Sequence, residues 1–248
     1  MMICPRGVLL CGPVDSFCVG PWILKPWIPH RFNGLLPFEA QHGLKVWPIV
    51  VFLLSACFCL FTSASYHLFN CHSRQLNDVL LLLDYVGISV LIAGSFYPPI
   101  FYGFYCKTSF LYLYLAAVSI ISVSSAIVGV YSGLNPSKFW RLARVLCYSA
   151  NACFGILPCA HLAILQFSGE PSWPPAIIYI GAMLGIYAFG TAIYTFQFPE
   201  KYFPGTFDYF FSSHQLWHIL VFAAAFLHYF CAVGHYRWRS HAMECPVA

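Results

Sequence analysis

Residues 209–234 read YFFSSHQLWHILVFAAAFLHYFCAVG. The stretch carries no Asp, Glu, Lys or Arg and exceeds the roughly 20 apolar residues that a helix needs to cross the hydrocarbon core of a bilayer. It reads as a membrane-spanning helix. Its ionisable exceptions are His214, His218 and His228, and such groups inside a bilayer are costly enough to be read first as functional.

Working outward, five more windows meet the same test: about 47–70, 79–105, 109–134, 142–167 and 173–198. The connections between them are short and polar, namely CHSRQLN, CKTS, NPSKFWR, SGEPS and PEKYFPGTFD. Pro and Gly punctuate them as turns require. Pro98 and Pro99 are expected to kink the second span or mark its exit.

Composition agrees. Of 248 residues, 60% are hydrophobic and only 8% are charged, where a soluble domain usually carries about a quarter. The aromatic share of 19% suits belts of Tyr and Trp at the membrane interfaces. The expected fold class is therefore an all-α, polytopic transmembrane helix bundle with six spans. The expected organisation is a non-spanning N-terminal segment over 1–46, the bundle over 47–236, and a short polar tail over 237–248. Residues 1–46 hold six prolines and no clean apolar run, and Pro13 and Asp15 interrupt any signal-peptide pattern.

The net charge of +4 is scattered, without a basic run of the kind that binds nucleic acid, so no nucleic-acid partner is expected. The 12 Cys form no CxxC pairs. Cys57, Cys59, Cys147, Cys153 and Cys159 lie in apolar runs and read as small packing residues. Cys71 and His72 follow the first span in an interfacial turn. Orientation follows Lys and Arg in the loops. Arg74, Lys138, Arg141, Arg144 and Lys201 fall on one side against Lys107 on the other, which makes the first side cytosolic; the tails carry basic residues on the opposite side.

Alternation of the spans brings chemistry together. His67 ends the first span, Asp84 lies early in the second, and His214 and His218 open the last, all toward the cytosolic side. At about 1.5 Å rise per residue they share a depth of roughly 5–14 Å. His214 and His218, spaced i and i+4, project from one helix face. With His67 they make three protein ligands, and three ligands plus a water is the open form of a zinc site. Ser63 lies four residues before His67 on the same face, and Asp84 can orient the water or a ligand. His161 and His228 lie toward the other side and read as helix-packing residues. HExxH, GxSxG and P-loop motifs are absent from the sequence.

Three segments carry a resemblance: SASYHLFNCHSRQLN from 63, LLDYVGISVLIAGSFYPPIFYGFYC from 82, and FPEKYFPGTFDYFFSSHQLWHILVFAAAFLHY from 198. With VWP at 46, SFYPPI at 95 and HYRWR at 235, they resemble the progestin and adipoQ receptor family. Within it they resemble the heptahelical branch of plants and microbes, over roughly residues 46–240. The resemblance implies a bundle of the adiponectin-receptor type with a cytosolic N-terminus. It implies zinc on His67, His214 and His218, and Asp84 beside the water. The family has seven helices where six spans are visible, so the N-terminal helix has no counterpart in 1–46.

Two readings of function stand side by side. In the first, a membrane receptor with a zinc-stabilised bundle, linked to lipid metabolism, also hydrolyses a lipid amide such as ceramide, with Asp84 as general base and Ser63 polarising the carbonyl. In the second, the zinc is purely structural and the protein is an anchor that recruits a soluble signalling partner. The partners so implied are the lipid bilayer, a ceramide-like substrate, and an extracellular ligand or a cytosolic signalling protein. The membrane is the plasma membrane or an endomembrane.

Overall fold

The structure, a computed structural model, describes residues 44–167, 177–207, 210–241 and 245. The N-terminal segment expected over 1–46 lies, as far as residue 43, outside the described residues. The described chain is helical throughout, without strands: α1 (Trp47–Phe69), α2 (Arg74–Gly103), α3 (Thr108–Leu134), α4 (Lys138–Cys153), α5 (Ile156–Phe167), α6 (Ile177–Phe196) and α7 (Ser213–His241). Among the described residues, six stretches are long and apolar enough to cross a membrane, with α4 and α5 together making the fourth, Lys138–Leu165.

Local chemistry sets the helix starts. Pro48 stands in the first turn of α1, where its missing N–H costs nothing. Ser73 caps α2 by accepting from Leu76 N–H at 3.2 Å, and Ser137 caps α4 by accepting from Trp140 N–H at 3.2 Å.

The faces divide as lipid demands. Phe61, Leu68, Ile120, Ile127 and Phe222 are exposed, whereas Asn151, Ser122, Asp84 and His228 are buried. In hydrocarbon, polar groups must find partners inside the protein. Asn151 on α4 accordingly donates to Ser122 on α3 at 3.0 Å, and Tyr148 on α4 donates to the Tyr85 carbonyl of α2 at 2.8 Å. Helix α2 occupies the centre, against α1, α3, α4 and α7, while α7 packs against α6, α2 and α1.

Four features differ from the sequence reading. First, Pro98 and Pro99 end nothing: α2 runs on to Gly103. Pro99 has no N–H to give the Ser95 carbonyl one turn back, and His228 Nε2 on α7 donates to that oxygen instead, at 2.7 Å. His228 is thus a helix-packing residue with a specific task. His161 is another, hydrogen-bonded to Tyr114 at 2.9 Å and ringed by Phe104 and Phe110. Second, the fourth span is broken at Phe154 and Gly155 into α4 and α5. Third, α7 continues to His241, past the 236 expected for the end of the bundle. Fourth, Cys106 after α2 is bonded to Cys245 after α7. Arg239, buried although it falls in the stretch read as a polar tail, lies over the Tyr105 ring and donates to the sulfurs of both cysteines.

This disulfide closes a loop with a sequence separation of 139. Its removal is expected to cost about 2–5 kcal/mol. Reduction should therefore lower the thermal midpoint of the purified protein, and Cys106→Ser should have the lowered midpoint with no further response to reductant. A wild-type midpoint indifferent to reductant would contradict the cross-link.

Candidate metal centre

Helix α1 delivers His67 two residues before its end, and α7 delivers His214 and His218 in its first two turns. The three imidazoles converge. His67 Nε2 and His214 Nε2 are 3.2 Å apart, His214 Nε2 and His218 Nε2 are 3.1 Å apart, and one nitrogen of each ring lies within 4.8 Å of the others. Among the described residues this is the one group of three His, Cys, Asp or Glu so placed. The rings meet edge to face, with centroids 4.8–5.1 Å apart.

These separations suit a divalent ion. Zinc–nitrogen bonds of about 2.0–2.1 Å in a tetrahedron give nitrogen–nitrogen edges of about 3.3–3.4 Å, close to the two short distances. Hydrogen bonding accounts for the arrangement less well, because a neutral imidazole has one N–H to donate and three ring nitrogens are gathered at one point. The donor set, all nitrogen, is one that zinc accepts.

Asp84 and Ser63 are both buried and adjacent, on α2 and α1. Among the described residues the Ser63 hydroxyl has no hydrogen-bond partner. Asp84 stands ten residues into α2, which begins at Arg74, five residues before the span expected from 79. The structure thus gathers His67, His214, His218, Asp84 and Ser63, all five site residues, at one end of the bundle. Four of them, Ser63, Asp84, His214 and His218, line a cavity of about 200 Å³ together with apolar residues such as Tyr187 and Trp217.

Sequence reasoning passed over two neighbours. Arg144, counted only as a loop charge, is buried on α4, with its guanidinium 3.8 Å from the centre of the Tyr85 ring and a bond to Ser132 at 3.3 Å. Glu200, in the connection before α7, accepts from the Ser213 backbone N–H at 2.8 Å and from the Ser213 hydroxyl. Desolvation opposes the charge on Glu200, yet the bonds from Ser213 hold its carboxyl below the usual carboxylate range. Glu200 stands 13 residues before Ser213, too far for a capping pattern in the sequence to have pointed to it.

Comparison with known proteins follows the same geography. Residues 32–229 match the family described as Haemolysin-III related. Heptahelical transmembrane protein 1 of Arabidopsis thaliana is 37% identical over 211 residues, 84% of this chain and 63% of the relative. Heptahelical transmembrane protein ADIPOR2 of Oryza sativa subsp. japonica is 36% identical over 206 residues, 80% of this chain and 86% of the relative. Progestin and adipoQ receptor-like protein 1 of Caenorhabditis elegans is 31% identical over 230 residues, 93% of this chain and 51% of the relative. The chain spans about half to two thirds of the length of several curated relatives that it matches. The chain belongs to the Haemolysin-III related family, among its progestin and adipoQ receptor members, and is an integral, multi-pass, receptor-like membrane protein.

Proposed function

We propose that His67, His214 and His218 hold one zinc ion and that this centre hydrolyses a lipid amide of the ceramide class, coupling lipid turnover to signalling. The observation that carries the reading is the convergence of three imidazole nitrogens beside two buried polar side chains, Asp84 and Ser63, on an apolar cavity. Zinc on three nitrogen ligands supplies a Lewis acid and makes water acidic enough to react near neutral pH.

The chain's own residues do the rest. Asp84 accepts the proton of the attacking water and returns it to the leaving amine, so that amide and water become carboxylic acid and amine. The uncommitted Ser63 hydroxyl donates to the amide carbonyl oxygen, where negative charge develops. The apolar walls bind the acyl and sphingoid chains and keep bulk water from the carboxylate. The Cys106–Cys245 bond lies at the other end of α2 and α7. Disulfides persist in oxidising compartments, which supports the placement of the His cluster on the cytosolic side by the loop charges.

A structural metal is the second reading. His67 sits at the tail of one helix and the His pair at the head of another, so an ion there staples α1 to α7 whether or not it reacts. An anchor that recruits a cytosolic partner needs no more than that. Asp84→Asn in lipid-reconstituted protein separates the two. Turnover of a labelled ceramide is expected to fall at least about 100-fold, with zinc content unchanged. Turnover that survives the substitution, or wild-type protein that turns over no ceramide, would leave only the structural reading.

A further inference from the structure

The connection between α6 and α7 is built to present one carboxylate. Residues 197–203 form a compact turn: Lys201 N–H donates to the Gln197 carbonyl at 3.0 Å, and Tyr202 and Phe203 both donate to the Pro199 carbonyl, at 2.9 and 3.1 Å. Gln197 at φ 53° and Phe211 at φ 63° bound the connection with left-handed backbone. Side chains other than glycine adopt that conformation at a cost, and it persists where surrounding structure fixes it. From this turn Glu200 reaches Ser213 and takes both of its donors, the backbone N–H and the hydroxyl.

Ser213 is the first residue of α7 and the one directly before His214. The first N–H groups of a helix lack intrahelical partners, so this is where a helix frays. A carboxylate at that end satisfies a donor and opposes the positive end of the helix dipole. Fraying would carry His214 away first and leave His218, one turn further in. The 3.2 Å approach of His214 to His67 across two helices depends on the height and rotation of that first turn.

We infer that Glu200 is a positioning residue for the metal centre: its grip on Ser213 locks the first turn of α7 and keeps His214 in the ligand set. This rests on the zinc reading above. An ordinary cap would only stabilise the fold, whereas a positioning residue changes how the ion is held.

The test uses the purified, full chain in lipid nanodiscs, with zinc as the probe. Zinc release to a chelator and the number of histidine ligands, by X-ray absorption, are measured for wild type, Glu200→Gln, Glu200→Ala and His214→Ala. Glu200→Ala is expected to release zinc about 10–100-fold more readily and to lose one imidazole from the shell. Glu200→Gln should fall between, because its amide oxygen still accepts from Ser213. Should Glu200→Ala not fold, Ser213→Ala, which removes only the hydroxyl bond, is expected to weaken zinc retention in the same direction. Glu200→Ala with wild-type release and three imidazoles, beside a His214→Ala that loses zinc, overturns the positioning role and leaves the metal centre standing. Wild type that holds no more zinc than His214→Ala overturns the metal centre itself, and the positioning role with it.

Discussion

His214→Ala is expected to empty the metal centre. The substitution takes away the middle nitrogen of the three, the one within 3.2 Å of both of its neighbours. Two imidazoles on separate helices then remain. Loss of a group that merely supports a ligand typically costs about 10–100-fold in metal affinity, and loss of the ligand itself should cost more. Metal analysis of protein purified without added zinc should fall from one ion per chain to a small fraction of that. His228→Ala is the control. It lies on the same helix and is more deeply buried, but its ring serves the Ser95 carbonyl. Leaving that oxygen unpaired should cost about 1–3 kcal/mol of stability while zinc stays. If His228→Ala and His214→Ala lose metal alike, the effect is general loosening of the bundle, and the assignment of ligands fails.

The contrast between those two histidines shows how far the sequence could be read. Spans were legible because an uncharged run beyond about 20 residues has few other uses. His214 and His218 were legible as a pair from their spacing, and His67 and Asp84 joined them through the alternation of spans alone. What was hidden depends on three-dimensional partners. Two adjacent prolines read as a kink or an exit, and α2 runs through them to Gly103, with a ring from α7 supplying a donor to the carbonyl that Pro99 cannot serve. Cys106 and Cys245 lie 139 residues apart, and no spacing rule pairs them. RWR at 237–239 reads as a polar tail, yet Arg239 is buried against Tyr105 and the disulfide, its guanidinium set over a ring face and bonded to sulfur. Glu200 looked like one more charge in a loop until its two bonds to Ser213 tied it to the neighbour of a ligand.

Gly87→Leu is expected to damage the fold and the metal centre together. Between α1 and α2 runs a seam of small residues: Ser55, Cys59 and Thr62 on one helix against Gly94 and Gly87 on the other. Such residues let helix backbones approach closely in lipid, where hydrophobic attraction between helices is weak. A Cβ at Gly87 would stand 2.7 Å from Thr62 Oγ1 and 3.1 Å from Cys59 Cα, and one at Gly94 would overlap the Ser55 side chain. Cys59 Cα is backbone and cannot rotate aside, so the helices must part. Overpacking typically costs about 1–3 kcal/mol, and a leucine side chain wedged against a helix backbone belongs at the upper end or beyond. Gly87 is three residues from Asp84, and Thr62 adjoins Ser63, so the displacement falls on the site. His67 moves with α1 while His214 and His218 stay with α7, and zinc retention should fall along with the thermal midpoint. Gly185→Ala on α6 provides the opposite case: among the described residues nothing lies within 4 Å of the added carbon, and alanine's better helix propensity is worth up to about 1 kcal/mol. Its midpoint should match or exceed that of the wild type. A Gly87→Leu protein as stable as Gly185→Ala would mean that α1 and α2 do not meet along this seam, and the route by which His67 reaches α7 would have to be redrawn.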